Sequence, residues 1–139
     1  MEVEVNIWGV LGAFVASMVV GSIWYAKPVF GRTWMKLVGL SDKQMKAGGF
    51  KPFVKMVPAA LLQAFVLAHA TFLSAYFFTD SSWMESALST AFWMWAGFQL
   101  TAFMTHDAFE QRPTKLTVIN AGNQLFTLLA MGLVIGWLK

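Results

Sequence analysis

The sequence predicts an all-α fold: a transmembrane four-helix bundle with a short amphipathic interfacial helix between its first and second spans. Three observations predict it. Residues 6–25, 56–78, 86–105 and 116–138 contain no Asp, Glu, Lys or Arg, and an apolar run of about 20 residues lets a helix cross roughly 30 Å of hydrocarbon. The chain is 58% apolar and 12% charged, with seven Trp and thirteen Phe in 139 residues, outside the range of an ordinary soluble domain. None of the four runs has the broad polar face that a helix of a water-soluble core shows to solvent. A single membrane domain is therefore expected over residues 1–139, with its long connection at 27–55.

The first span, residues 6–25, follows an acidic start from Met1 to Glu4. A secretory signal peptide opens with positive charge, so this span is expected to be retained. Gly9, Ala13, Ser17 and Gly21 recur every fourth residue along one helix face. Gly132 and Gly136 repeat the feature in the fourth span, and Ala60, Ala64 and Ala68 in the second. Small side chains let helix backbones approach closely, which drives association in lipid. They suit packing within one bundle, and the Gly9, Ala13, Ser17, Gly21 and Gly132, Gly136 faces are also expected to join copies into a homo-oligomer. Trp24 and Tyr25 end the span at headgroup level, and Trp83 and Trp137 mark the opposite boundary as aromatic anchors.

After Lys27 and Pro28, residues 29–40 place Phe30, Trp34, Leu37 and Val38 on one helix side and Arg32 and Lys36 elsewhere. That pattern predicts the helix lying in the membrane interface. Ser41 is placed to N-cap a short polar turn through Lys46, and Gly48 and Gly49 break it. Pro52 and Pro58 bracket the start of the second span, with Pro58 expected in its first turn, where a missing N–H costs little. Residues 79–83 form a tight hairpin. Residues 106–115 make a short charged connection, with Pro113 set to start the fourth span.

Charge gives the orientation. The first connection holds Lys27, Arg32, Lys36, Lys43, Lys46, Lys51 and Lys55 against Asp42, and the third holds Arg112 and Lys115. Cytoplasmic loops collect Lys and Arg, so nine of the ten basic residues fall inside when both termini lie outside the inner membrane. The net charge of +3 then sits beside anionic lipid, and nucleic acid is not needed to explain it. Without cysteine, disulfides and Cys-based metal or redox chemistry are excluded.

At about 1.5 Å per residue, Gln63, Gln99, Asn120, Asn123 and Gln124 fall in one slab of the cytoplasmic half, with Ser17 and Ser22 at similar depth. Unsatisfied polar groups in hydrocarbon are costly, so these groups should face inward. They suit an interhelical hydrogen-bond layer or a pocket for a small polar or amphiphilic molecule, with Trp24, Tyr25, Lys27, Glu110 and Arg112 around it. In the pocket reading the interfacial helix is a cover.

His69 is the mid-bilayer ionisable group, with the Tyr76 phenol one heptad on, and such a residue is a functional candidate. A neutral His bonded to a Ser or Thr hydroxyl is the plainer expectation. His69 and His106 lie about 20 Å apart in depth, so they cannot both bind one haem iron within a subunit, although a His69 pair across a dimer axis stays open. His106 and Asp107 point about 100° apart on a helix and make a poor metal site. There is no HExxH, GxSxG or phosphate-binding glycine loop. No cofactor, metal or catalytic group is expected.

The order Asn6, Gly21, Trp24-Tyr25, Pro28, Phe30-Gly31, Trp34, then Phe109-Glu110, Arg112-Pro113 and Ile119-Asn120-Ala121-Gly122 resembles a bacterial family of small four-span membrane proteins catalogued as a domain of unknown function. The resemblance implies the four-helix architecture and no activity. The expected function is a non-enzymatic binding or assembly module for membrane lipid or a small amphiphile. The alternatives are a small oligomeric transporter or channel, and a membrane enzyme or haem carrier using His69.

Overall fold

The computed structural model describes residues 3–139, so the acidic start at Met1 and Glu2 lies outside the described residues. The chain is all-helical, with no strand among the described residues. Helix α1 (Ile7–Trp24) begins where the Asn6 side chain accepts from the backbone N–H of Trp8 at 2.9 Å and of Gly9 at 3.4 Å. An N-cap of this kind satisfies donors that have no partner inside the helix.

A π-helical turn (Lys27–Gly31), started by Pro28, leads into α2 (Arg32–Val38), which ends on Gly39 at φ 76°. Gly31 is required there: a Cβ would collide with the backbone carbonyls of Tyr25 and Ala26. Helix α3 (Asp42–Gly48) has the expected Ser41 cap, completed by Gln44 in a reciprocal capping box.

Helix α4 (Lys51–Phe77) starts earlier than the charge-free run, with Pro52 in its first turn. Pro58 is therefore interior, a correction to its expected place at the helix start. Its ring removes one helical hydrogen bond, and the helix continues through it. Helix α5 (Trp83–Met94) opens on a Ser82–Glu85 capping box not anticipated from the sequence. A second π-helical turn (Trp95–Leu100) joins α5 to α6 (Thr101–Phe109), and Pro113 then caps α7 (Thr114–Trp137).

By length and composition α1, α4 and α7 can each cross a membrane. Residues 83–109 form a run of comparable length interrupted by the π turn. Helix α7 packs along both α1 and α5, and α4 packs on α5 and α1. At one end of the bundle Asn6 Nδ2 donates to the Leu138 carbonyl at 2.8 Å, so α1 begins where α7 ends. We call this the terminal end, and the opposite end, with the long first connection, the basic end.

The core lies toward the terminal end and includes Ala13, Ala64, Leu67, Ala91, Leu128 and Met131. Small residues make it dense. A Cβ on Gly132 would sit 3.1 Å from the Ala87 carbonyl oxygen and 3.1 Å from Ala91 Cβ, and one on Gly12 2.8 Å from Val134 Cγ1. Ala13 and Ser17 are buried, Gly9 lies against Leu138, and Gly136 against Met84. The small-residue faces thus close the bundle on itself. Gly21 alone of that set has open space beside it.

Three tryptophans fasten α7. Trp24 Nε1 donates to the Ile119 carbonyl at 3.0 Å, Trp95 to Ala121 at 2.8 Å and Trp83 to Ile135 at 2.9 Å. Trp24 and Trp83, expected as interfacial anchors, also act as interhelical donors. An indole N–H in a dry bundle needs an acceptor, and a helical carbonyl keeps a second lone pair to offer. Trp137, by contrast, is exposed.

Candidate functional site

The basic half of the bundle contains a cavity of about 930 Å³. Ser17, Gly21, Ser22 and Tyr25 line it from α1, and Phe53, Met56 and Gln63 from α4. Met94, Phe98 and Gln99 come from α5 and the second π turn, and Asn123, Gln124 and Thr127 from α7. A helical periodicity of 3.6 residues explains how short stretches contribute these groups: Ser17, Gly21 and Tyr25 share one face of α1, and Gln124 and Leu128 one face of α7. A π turn adds a residue per turn and so rotates the helix beyond it; such turns recur at functional sites. Here the π turn itself carries Phe98 and Gln99.

Of the sequence-derived candidates, Gln63, Gln99, Asn123, Gln124 and Tyr25 meet at this cavity. The amides do not form a closed layer. Gln63 Nε2 donates to Gln124 Oε1 at 3.3 Å, Asn123 Nδ2 is buried with no partner, and Gln99 lines the wall half-buried. Asn120 is one step removed, accepting from the Tyr25 hydroxyl at 2.9 Å. Among the described residues, no Asp, Glu, Lys, Arg or His side chain lines the cavity.

The other candidates lie elsewhere. Trp24 stacks on Phe30 and Phe126 at centroid distances of 4.6 and 5.4 Å, outside the lining. Lys27 pairs with Asp42 at 2.7 Å, and Glu110 with Arg112 at 3.1 Å, both in exposed settings away from the lining. Long charged side chains keep their heads in water, which is why the expected charged rim is not built. The Lys27 hydrogen bond and charge hold the Asp42 carboxyl below its usual pKa. Helix α2 packs beside the first π turn and α7 and contributes nothing to the lining, so it is not the cover the sequence suggested. Phe53 and Met56, at the start of α4, occupy that position instead.

His69 donates from Nδ1 to the Phe65 carbonyl at 3.2 Å, bonding backbone where a hydroxyl was expected, and its ring lies 4.3 Å from Phe65. It does not line the cavity. No group of three or more His, Asp or Glu side chains is placed to hold a metal among the described residues. Sequence reasoning missed Thr127, Met94 and Phe98, ordinary core residues by type whose placement depends on helix rotation.

The fold and the cavity define a class: an all-helical protein with helices apolar enough to span a membrane, packed around a chamber of neutral amides. The chain belongs to the family described as protein of unknown function (DUF1761), which it matches over residues 8–136. No curated protein and no solved structure matches it. The two stretches that carried the resemblance meet in space. Trp24 bonds to Ile119 and Tyr25 to Asn120, and a Cβ on Gly122 would sit 3.0 Å from the Trp24 ring.

Proposed function

We propose that this chain is a four-span, non-enzymatic integral membrane protein that binds a small amphiphile in the cavity of its basic half. The observation that carries the reading is a chamber of about 930 Å³ that combines apolar walls with a few convergent, incompletely bonded amides. Ligand sites of roughly 300–1,000 Å³ with that composition are the common kind. The third span in chain order is the run 83–109, charge-free from 86 to 105 and packed between α4 and α7. The meeting of Asn6 with Leu138 supports an even number of crossings. The basic residues of 27–55 and 112–115 support an inner-membrane orientation with both termini outside.

Leu62, Val66 and Phe98 line the chamber and are also exposed on the outside of the bundle. That supports access through the helix wall from the surrounding lipid. Native mass spectrometry of the detergent-purified chain tests the reading. A reproducible added mass is expected on the wild type and should be lost from Gly21→Leu, whose new side chain enters the chamber. Retention of the same adduct by the filled variant would place the molecule on the outer surface and end the proposal.

A further inference from the structure

We propose that the molecule this chamber accepts is an uncharged lipid alcohol, a lipid whose head carries a free hydroxyl and no ionised group. The inference deepens the binding reading above and rests on it. Three features of the chamber select the head.

The first is charge. Among the described residues, no ionisable group other than the Tyr25 phenol lines the wall, so an ionised phosphate or carboxylate entering it would lose water and gain no counter-charge from them. Burying a charge in that way is strongly unfavourable.

The second is a surplus of donors. Asn123 lies on α7 with 5% of its surface exposed, and its Nδ2 has no partner. Gln124 accepts through Oε1 from Gln63, which leaves its own amino group to give. With the Gln63–Gln124 pair oriented as its hydrogen bond assigns it, the Gln124 amino group is a donor that a ligand acceptor would answer. Thr71 and Ser86 also bury unpartnered hydroxyls, but neither lines the chamber.

The third is a set of acceptors that only a donor can use. The Ser17 and Ser22 hydroxyls donate to the carbonyls of Phe14 at 2.6 Å and Met18 at 2.7 Å. The Tyr25 hydroxyl donates to Asn120. Each oxygen keeps a lone pair to accept with, and the Gln63–Gln124 bond leaves Gln63 Oε1 free to accept as well. A ketone or quinone head can accept and cannot donate, so it answers half of this wall. A hydroxyl does both. Two sources share this chemistry, a glyceride and a long-chain alcohol, and the apolar walls from Met56 to Val66 suit the chain of either.

The test is calorimetric titration of the detergent-purified full chain with four probes: 1,2-dioctanoylglycerol, 1-dodecanol, dioctanoyl phosphatidic acid and a decyl quinone. Saturable binding of dioctanoylglycerol or dodecanol is expected, with the tighter of the two identifying the source, and about tenfold weaker binding of the acid and the quinone. Asn123→Leu and Gln99→Leu should each weaken the favoured alcohol about tenfold. Gln99 is half-buried, so its variant keeps the test valid should Asn123→Leu fail to fold. Equal or tighter binding of phosphatidic acid or the quinone, lost on Gly21→Leu, would overturn the alcohol assignment and leave the chamber a binding site. Absence of saturable binding by all four would overturn both.

Discussion

The two ends of this bundle use the same small residues to opposite effect. Toward the terminal end, Gly12, Gly132 and Gly136 each face a neighbour so close that a Cβ would press on Val134, Ala87 or Met84. Toward the basic end, Gly122 still packs on the Trp24 ring and Gly31 on the Tyr25 carbonyl, but Gly21 and Gly97 have nothing within 4 Å of where a Cβ would lie. Apolar tails solvate the unassociated helices as well as a packed core does, so a membrane bundle is held by contact and hydrogen bonding more than by the hydrophobic effect. Density at one end supplies that contact. The looser end is where Gln63, Gln99, Asn123 and Gln124 collect. A glycine in such a helix is thus a permission, and the facing helix decides whether it becomes a contact or a space.

The sharpest way to break this comparison is to put one side chain at both ends. Gly132→Leu drives a branched side chain into the Ala87 backbone and Ala91 and should cost about 3 kcal/mol or more. Gly21→Leu enters open space and should change stability by less than about 0.5 kcal/mol. Thermal unfolding in detergent reads both, and equal losses would show that the basic half is as tightly packed as the terminal half.

A smaller effect sharpens how α7 is held. Trp95→Phe keeps the ring and removes the N–H given to Ala121, for an expected loss of about 1 kcal/mol, in the range of interhelical hydrogen bonds in membranes. Trp83→Phe removes the equivalent bond to Ile135 and should cost about the same. A much larger loss at Trp83 would mean that packing at the terminal end amplifies the bond.

The smallest expected effect lies outside both halves. The Asp42 carboxyl is held below its usual pKa by Lys27, so the pair's contribution is complete above the ordinary Asp value near 4 and fades as pH falls through the lowered one. Carboxyl NMR titration should place its midpoint below the ordinary value, and Lys27→Met should return it upward. An unchanged midpoint in the variant would show that Lys27 is not the cause. Because Asp42 is fully exposed, the unfolding midpoint should hardly move with either change.

Much of the fold is legible along the chain because each element announces itself over short distances. Charge-free runs mark the long helices, Pro113 the start of α7, and Ser41 and Gly49 the two ends of the short α3, whereas the interfacial helix expected through residue 40 stops at Val38 on Gly39. The depth of Gln63, Gln99, Asn123 and Gln124 comes from counting residues along straight rods. What one dimension does not carry is rotation about each rod. Asn120 and Asn123 sit three residues apart, yet one accepts from Tyr25 and the other faces the chamber unpartnered. The indole donations of Trp24 and Trp83 go to carbonyls far away in sequence, and Lys27, Glu110 and Arg112, expected at the chamber's rim, pair outside its lining.

The sequence by itself determined an all-helical chain with membrane-length apolar segments, a polar layer nearer the basic end and a basic first connection. Composition, periodicity and capping are local properties, and local properties suffice for these. Only the tertiary structure decided which small residues become contacts, which amides pair and which stay open, and that the free space lies beside Gly21. Those outcomes depend on the azimuth at which helices face one another, a quantity fixed by the packing of all the helices together.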